Sequence, residues 1–173
     1  MIQRGHKEAL PYVATSIVLR PIHRLTHVLL APRTDLDFQG KYFPPGGYVD
    51  IEETVAEAAD RELREETGLR PQRRDYYPYP SDSYSMHLYK PKSDVPFAQI
   101  YPFHFVAWNK EMGVPANTHG NQRRWEWVPL ETVYMSHGKD PRFPGNICSM
   151  MIHTLSVIRD DRTGWFRSRG ITA

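Results

Sequence analysis

Residues 46–69 read Gly46-Gly47-Tyr48-Val49-Asp50-Ile51-Glu52-Glu53-Thr54-Val55-Ala56-Glu57-Ala58-Ala59-Asp60-Arg61-Glu62-Leu63-Arg64-Glu65-Glu66-Thr67-Gly68-Leu69. Eight of these 24 residues are acidic and two are basic. The second half predicts a helix. Thr54 is its N-cap, Glu57 completes a capping box, and Gly68 with Pro71 supplies the stop. On a wheel of about 100° per residue with Glu62 at the origin, Glu66 falls near 40° and Glu65 near 300°. Val55, Ala58 and Ala59 fall on the same side, so the three carboxylates continue an apolar stripe. Glu57, Asp60 and Arg64 lie opposite, where solvated charge belongs. Inward-facing carboxylates repel one another and lose hydration unless paired. A hard divalent cation with oxygen ligands relieves both costs, so the stretch predicts a metal site.

Gly47, five residues, Glu53, seven residues, then Arg61-Glu62-Leu63-Arg64-Glu65-Glu66-Thr67-Gly68-Leu69 resembles the Nudix box at every specified position. The resemblance implies an α/β fold, an α/β/α sandwich with a mixed β-sheet between helices. It implies a metal held by the Gly47 carbonyl and by Glu62, Glu65 and Glu66. In the family, the counterparts of Glu53 and Arg61 hold the loop–helix–loop shape, with the arginine orienting a carboxylate.

The 173-residue length suits one domain over 1–173 with a proper core. A single cysteine, Cys148, excludes an internal disulfide framework. The opening residues carry no apolar leader and no run approaches a membrane span, so a soluble, cytoplasmic protein is expected. Net charge is +2, yet outside residues 46–69 there are 20 bases against 12 acids. An acidic strip in a basic body suits a polyanionic substrate. Nucleic acid is not expected as a partner except as a capped end.

Residues 12–20 and 26–32 predict neighbouring strands joined by a hairpin or crossover. Arg33 follows the second strand; the resemblance places it at the rim of the site, and a plain surface arginine is the alternative. Residues 35–48 read as a loop in which Phe43-Pro44-Pro45-Gly46-Gly47 brings backbone close to a ligand. Five of the ten tyrosines lie in residues 70–98 and either stack a base or pack under a long loop. Tyr84 lies where some dinucleoside polyphosphate hydrolases of the family carry a tyrosine, and residues 83–89 predict an edge strand. Residues 100–108 alternate as a strand. Residues 124–128, followed by Pro129-Leu130-Glu131, resemble the segment that closes the Nudix sheet.

Many family members place a glutamate between those last two strands, and residues 114–124 here contain no acid. His119 is the best substitute as general base, an inert loop histidine being the alternative; Glu126 is nearby but on a short strand. Residues 146–159 predict a helix with Met150 and Met151 as core filler. The basic tail from Asp160 is either a dimer contact or loose.

By resemblance, the reaction is Mg²⁺-dependent hydrolysis, with Mn²⁺ as a substitute, of a nucleoside diphosphate linked to a second group. The cation activates a bound water and a carboxylate or His119 takes its proton. Arg33, Arg123 and Arg124 are the candidates for holding phosphate charge, with Tyr84 as a further substrate contact. A nucleoside triphosphate or nucleotide sugar is favoured. ADP-ribose, dinucleoside polyphosphates and capped RNA are alternatives, as is a nucleotide-sensing module without turnover. The post-box proline of ADP-ribose hydrolases is missing. Homodimerisation, common in the family, is not demonstrated by any stretch.

Overall fold

The computed structural model describes residues 10–79, 86–90, 93–116 and 124–173, with backbone alone for 101–103. Among the described residues, seven strands run in chain order: β1 (Tyr12–Ile22), β2 (Leu25–Pro32), β3 (Tyr42–Phe43), β4 (Gly46–Tyr48), β5 (Met86–Tyr89), β6 (Pro96–Ala107) and β7 (Glu126–Pro129). The helices are α1 (Val55–Thr67), α2 (Leu130–Met135) and α3 (Gly145–Asp160). The main path of the sheet is β3-β2-β1-β6-β5, with β4 added against β1 and β7 against β2. β1 and β6 are parallel and the other pairings antiparallel, so the sheet is mixed.

Strand alternation sorts side chains into two layers. Val18, Leu29 and Val106 point to one face and pack with Leu63 and Leu69 from α1 and its exit. Ile17, Leu19, Val28, Leu30, Phe105 and Ala107 point to the other, under Ile147, Met150 and Met151 of α3 and Val133 of α2. Helices therefore cover both faces, which is why residues 14–19 are buried without interruption. The expected α/β/α sandwich is the observed one. The methionines fill core, as expected, and Cys148 is buried beside them.

β1 and β2 form a hairpin closed by His23 and Arg24 at φ of 49° and 68°, the two left-handed residues that a twisted two-residue turn requires. The crossover alternative is thereby excluded. Residues 35–48 are not all loop: β3 and β4 flank Pro44-Pro45 and pair with β2 and β1 respectively. Proline interrupts both strands and keeps them short, which hides their period from the sequence. The predicted strand at 100–108 begins earlier, at Pro96. Of the predicted edge strand at 83–89, residues 83–85 lie outside the described residues and the rest is β5, which among the described residues pairs with β6 alone.

The tail is not loose. Phe166 is 1% exposed and stacks on Tyr77 at 4.7 Å, and the Thr26 hydroxyl donates to the Thr172 carbonyl. Two tyrosines of the 70–98 stretch thus find structural uses: Tyr77 in this aromatic cluster, and Tyr76 donating its hydroxyl to Asp60. No helix among the described residues is long and apolar enough to cross a membrane.

His104 lies on β6 with its ring edge-on to Tyr76. Burial holds its pKa below the ordinary imidazole value, against a smaller opposing pull from Asp60, and burial lowers His153 in the same direction. In the unfolded chain both take up a proton near pH 6.5, before the folded state does. Stability from these sites is therefore complete above about pH 6.5 and is lost as pH falls below it. The urea midpoint should drop between pH 7 and pH 5, and His104→Gln should flatten that slope. A slope unchanged by the substitution would remove His104 as its source.

Candidate functional site

The box helix begins and ends as its sequence predicts. The Thr54 hydroxyl accepts from the Glu57 backbone N–H, the Glu57 carboxylate accepts from Thr54 N–H, and Gly68 adopts φ 72° at the C-cap. Ala58, Ala59 and Leu63 anchor the helix to the sheet. This fixes the direction in which Arg61, Glu62, Glu65 and Glu66 leave it.

β4 carries Gly46 and Gly47 to these side chains. Their φ values are not left-handed; glycine is needed here for space. A Cβ on Gly46 would stand 2.3 Å from the Ala14 carbonyl oxygen of β1. A Cβ on Gly47 would stand 2.2 Å from Glu62 Oε1, so the Glu62 carboxylate lies directly against the Gly47 backbone. The Gly46 N–H donates to Glu66 Oε2 at 3.0 Å. Two of the three predicted carboxylates are thus seated on the glycine pair.

Arg61 ties the remainder together. Its Nε and Nη2 donate to the two Glu53 oxygens at 2.9 Å each, its Nη1 to Glu62 Oε1 at 2.8 Å, and its Nη2 also to the Tyr48 carbonyl at 3.0 Å. Nη1 lies 3.5 Å from Glu65 Oε2. The hydrogen bond from Arg61 holds the Glu53 carboxyl below its usual range, and Glu53 in turn raises the already high guanidinium pKa. Two sequence expectations are corrected here. Glu65 is not inward-facing; its side chain is 46% exposed against 17% for Glu62. One guanidinium pairs with three glutamates, which supplies counter-charge from within the protein. Asp60, expected to be a solvated charge, takes the Tyr76 hydroxyl and an ion pair from Arg64 at 2.6 Å.

Among the described residues, no three His, Cys, Asp or Glu side chains stand grouped as a ready metal site. The donor chemistry nonetheless fits a hard divalent cation. Glu62, Glu65, Glu66 and the Gly47 carbonyl are all oxygen donors, and the missing Cβ of Gly47 leaves the cradle into which Glu62 fits. Arg61 supplies the positive charge in the structure as it stands.

Glu62, Glu66, Gly46 and Gly47 border a cavity of about 520 Å³ that runs beneath the sheet toward α3. Arg33 borders it, with its guanidinium paired to Asp35 and lying over the Phe38 and Phe43 rings. Arg124 does not; it is exposed ahead of β7, away from the cavity lining. Glu126 is also off the lining and lies beside Tyr42, whose hydroxyl pKa is raised first by burial and then by this neighbour. Tyr84, His119 and Arg123 lie outside the described residues. Sequence reasoning missed the rest of the wall: Phe38, Phe97, and the Asp37–Lys90 ion pair at 2.9 Å. These residues come from segments with no period and no motif, and only folding brings them together.

A family model described as the NUDIX domain matches residues 10–147. The chain belongs to that family. Within it, the chain is 46% identical over 50 residues to an ADP-ribose pyrophosphatase of Methanocaldococcus jannaschii, covering 29% of this chain and 30% of that protein. It is 44% identical over 57 residues to a nudix hydrolase of Caenorhabditis elegans, covering 33% and 16% respectively. The chain therefore spans less than a third of the length of these curated relatives. Among solved structures, a C. elegans Ap4A hydrolase in a binary complex superposes at TM-score 0.62 with 18% identity, over 87% of this chain and 98% of the other. The NUDIX domain of Shewanella oneidensis NrtR, solved with ADP ribose, superposes at 0.58 with 16% identity, over 85% and 87%. At such identities the likeness shows a shared fold.

Proposed function

We propose that this NUDIX domain hydrolyses the pyrophosphate bond of a nucleoside diphosphate linked to a second group. The observation that carries the reading is the seating of Glu62 and Glu66 on Gly46-Gly47 at the border of a cavity of ligand size. Glu62, Glu65, Glu66 and the Gly47 carbonyl would hold Mg²⁺, or Mn²⁺ in its place. When bound, such an ion polarises a phosphoryl oxygen and lowers the pKa of a coordinated water. Glu53 and Arg61 position the carboxylates. The water's proton passes to a box carboxylate or to His119. Arg123 is the candidate cation for phosphate charge; Arg33 and Lys90 are each paired to a carboxylate on the cavity wall, and Arg124 would have to reach the substrate from an exposed position off the cavity. A triphosphate would release pyrophosphate, and a nucleotide sugar would release a sugar phosphate. The names of the relatives add ADP-ribose and dinucleoside polyphosphates to the substrates worth assaying.

The test is product release with Mg²⁺ from nucleoside triphosphates, deoxynucleoside triphosphates, nucleotide sugars, ADP-ribose, dinucleoside polyphosphates and capped RNA. Turnover of one class should fall by about 100-fold or more in Glu66→Gln and in Glu65→Gln, the scale on which losing one preorganised charge acts. EDTA should abolish it. Nucleotide binding without release from any substrate would overturn hydrolysis in favour of a sensing role.

A further inference from the structure

We infer that the Phe38–Phe97 corner of the cavity is a subsite for a nucleobase, a neutral, planar aromatic ring, and is not a phosphate or sugar site. This rests on the hydrolytic reading only for its location, since the corner shares one cavity with Glu62 and Glu66.

Charge decides first. The cavity wall here carries two cations, Arg33 and Lys90, and each is matched by its own carboxylate, Asp35 and Asp37. Paired in this way, the corner has no net positive field, and an incoming phosphate would meet two carboxylates at close range. An anion subsite needs unmatched cations or aimed N–H groups. The Asp35 oxygens are already committed, one to Arg33 and one to the Phe38 backbone N–H.

The aromatic surface decides next. Phe38 touches Phe43 edge-on at 5.4 Å and Phe97 at 6.1 Å with a 37° tilt. Phe43 and Phe97 pack on the main core, and Phe38 is not part of that core. Phe38 is instead only partly buried and borders the cavity, where the uncovered part of its ring gains nothing from burial until something apolar covers it. Arg33 lies over the Phe38 and Phe43 rings at 5.7 and 5.5 Å, which stiffens the wall. A base has a flat π-face that such a wall accepts whatever its edge pattern. A sugar or phosphate has none.

The test compares Phe38→Leu and Phe38→Trp with the wild-type protein by calorimetry. The probes are AMP, GMP, CMP, UMP and ribose 5-phosphate, all with Mg²⁺ present. The wild type should bind its best nucleotide at least about 10-fold tighter than ribose 5-phosphate, the scale of one stacked base. Phe38→Leu should erase most of that preference with ribose 5-phosphate affinity unmoved, and Phe38→Trp should keep it. A wild type that binds nucleotides no tighter than ribose 5-phosphate would overturn the subsite. So would a Phe38→Leu protein that weakens both ligands alike, or one that leaves the preference intact. Melting temperature reports whether each variant folds, and Phe38→Trp carries the test if the leucine variant does not. A base preference lost in Phe38→Leu without turnover of any substrate would sink hydrolysis and leave the subsite standing. Turnover with the preference untouched would do the reverse.

Discussion

Gly47→Ala should lose hydrolysis by about 100-fold or more while melting close to the wild type, and Gly46→Ala should be damaged in its stability first. The two glycines are neighbours on β4, and what each would strike separates them. The new Cβ at Gly47 meets the end of the Glu62 side chain at 2.2 Å. That carboxylate is 17% exposed and has rotamers to escape into, so the fold gives way cheaply. The functional cost is large, because Glu62 leaves the cradle and its bond to Arg61. The new Cβ at Gly46 meets the Ala14 carbonyl of β1 at 2.3 Å, and that atom is backbone. Ala14 is fully buried and packs with Ala58 and Ala59 of the box helix, so it has nowhere to go. Overpacking of that kind costs roughly 1–3 kcal/mol.

Denaturant unfolding beside a turnover assay separates the two. A Gly47→Ala protein with full activity would show that Glu62 is not needed where the structure puts it. A Gly46→Ala protein as stable as the wild type would mean that β4 lifts from β1 more easily than its register suggests.

That contrast also marks what the sequence could and could not convey. Thr54, Glu57 and Gly68 act through local rules of capping and chirality, so the ends of α1 were legible residue by residue. The facing of Ala58, Ala59 and Glu62 followed from helical geometry. Glu65 was misplaced because a broad wheel sector does not distinguish the buried edge of a stripe from its exposed margin. Arg61 was recognised as structural, but its reach to Glu62 and Glu65 together depends on a rotamer that no spacing rule contains.

The cavity wall was out of reach for a different reason. Asp37 and Lys90 are 53 positions apart, and Phe38 and Phe97 are 59 apart. Each pair meets only once β5 and β6 have joined the far side of β1. The anchoring of the tail was not legible because its aromatic residues, Trp165 and Phe166, find their partner in Tyr77, far away in the chain on the same face of the sheet, rather than in any local pattern. Chemistry carried by one helix could be read directly, whereas chemistry assembled from loops could not.

Arg61→Met should lower stability by about 2 kcal/mol and abolish activity, and Arg61→Lys should fall between it and the wild type. The guanidinium makes a two-pronged bond to Glu53, whose side chain is 15% exposed, and further bonds to Glu62 and the Tyr48 carbonyl. Removing it leaves two largely covered carboxylates, Glu53 and Glu62, without the guanidinium they share. Stripping one partner from a fully buried pair costs about 3–5 kcal/mol. The figure here is smaller because Arg61 is 28% exposed and water screens part of the loss. For a chain of this size, about 2 kcal/mol corresponds to a fall of roughly 4–8 °C in Tm. Lysine restores a point charge without the planar fork, so it can serve Glu53 or Glu62 but not both.

Acid gives the sign of the same interaction. Because Arg61 depresses the Glu53 pKa in the folded state, its contribution is present above the unfolded value of about 4.3 and lost as pH falls through it. The Arg61→Met protein should therefore lose less stability than the wild type on acidification below that point. Mg²⁺ provides the decisive readout, independent of turnover. With the guanidinium gone, Glu62 and Glu65 lose the counter-charge they share, so added Mg²⁺ should raise the Tm of Arg61→Met more than that of the wild type. An equal or smaller rise in the variant would mean that these glutamates do not bind a metal ion together.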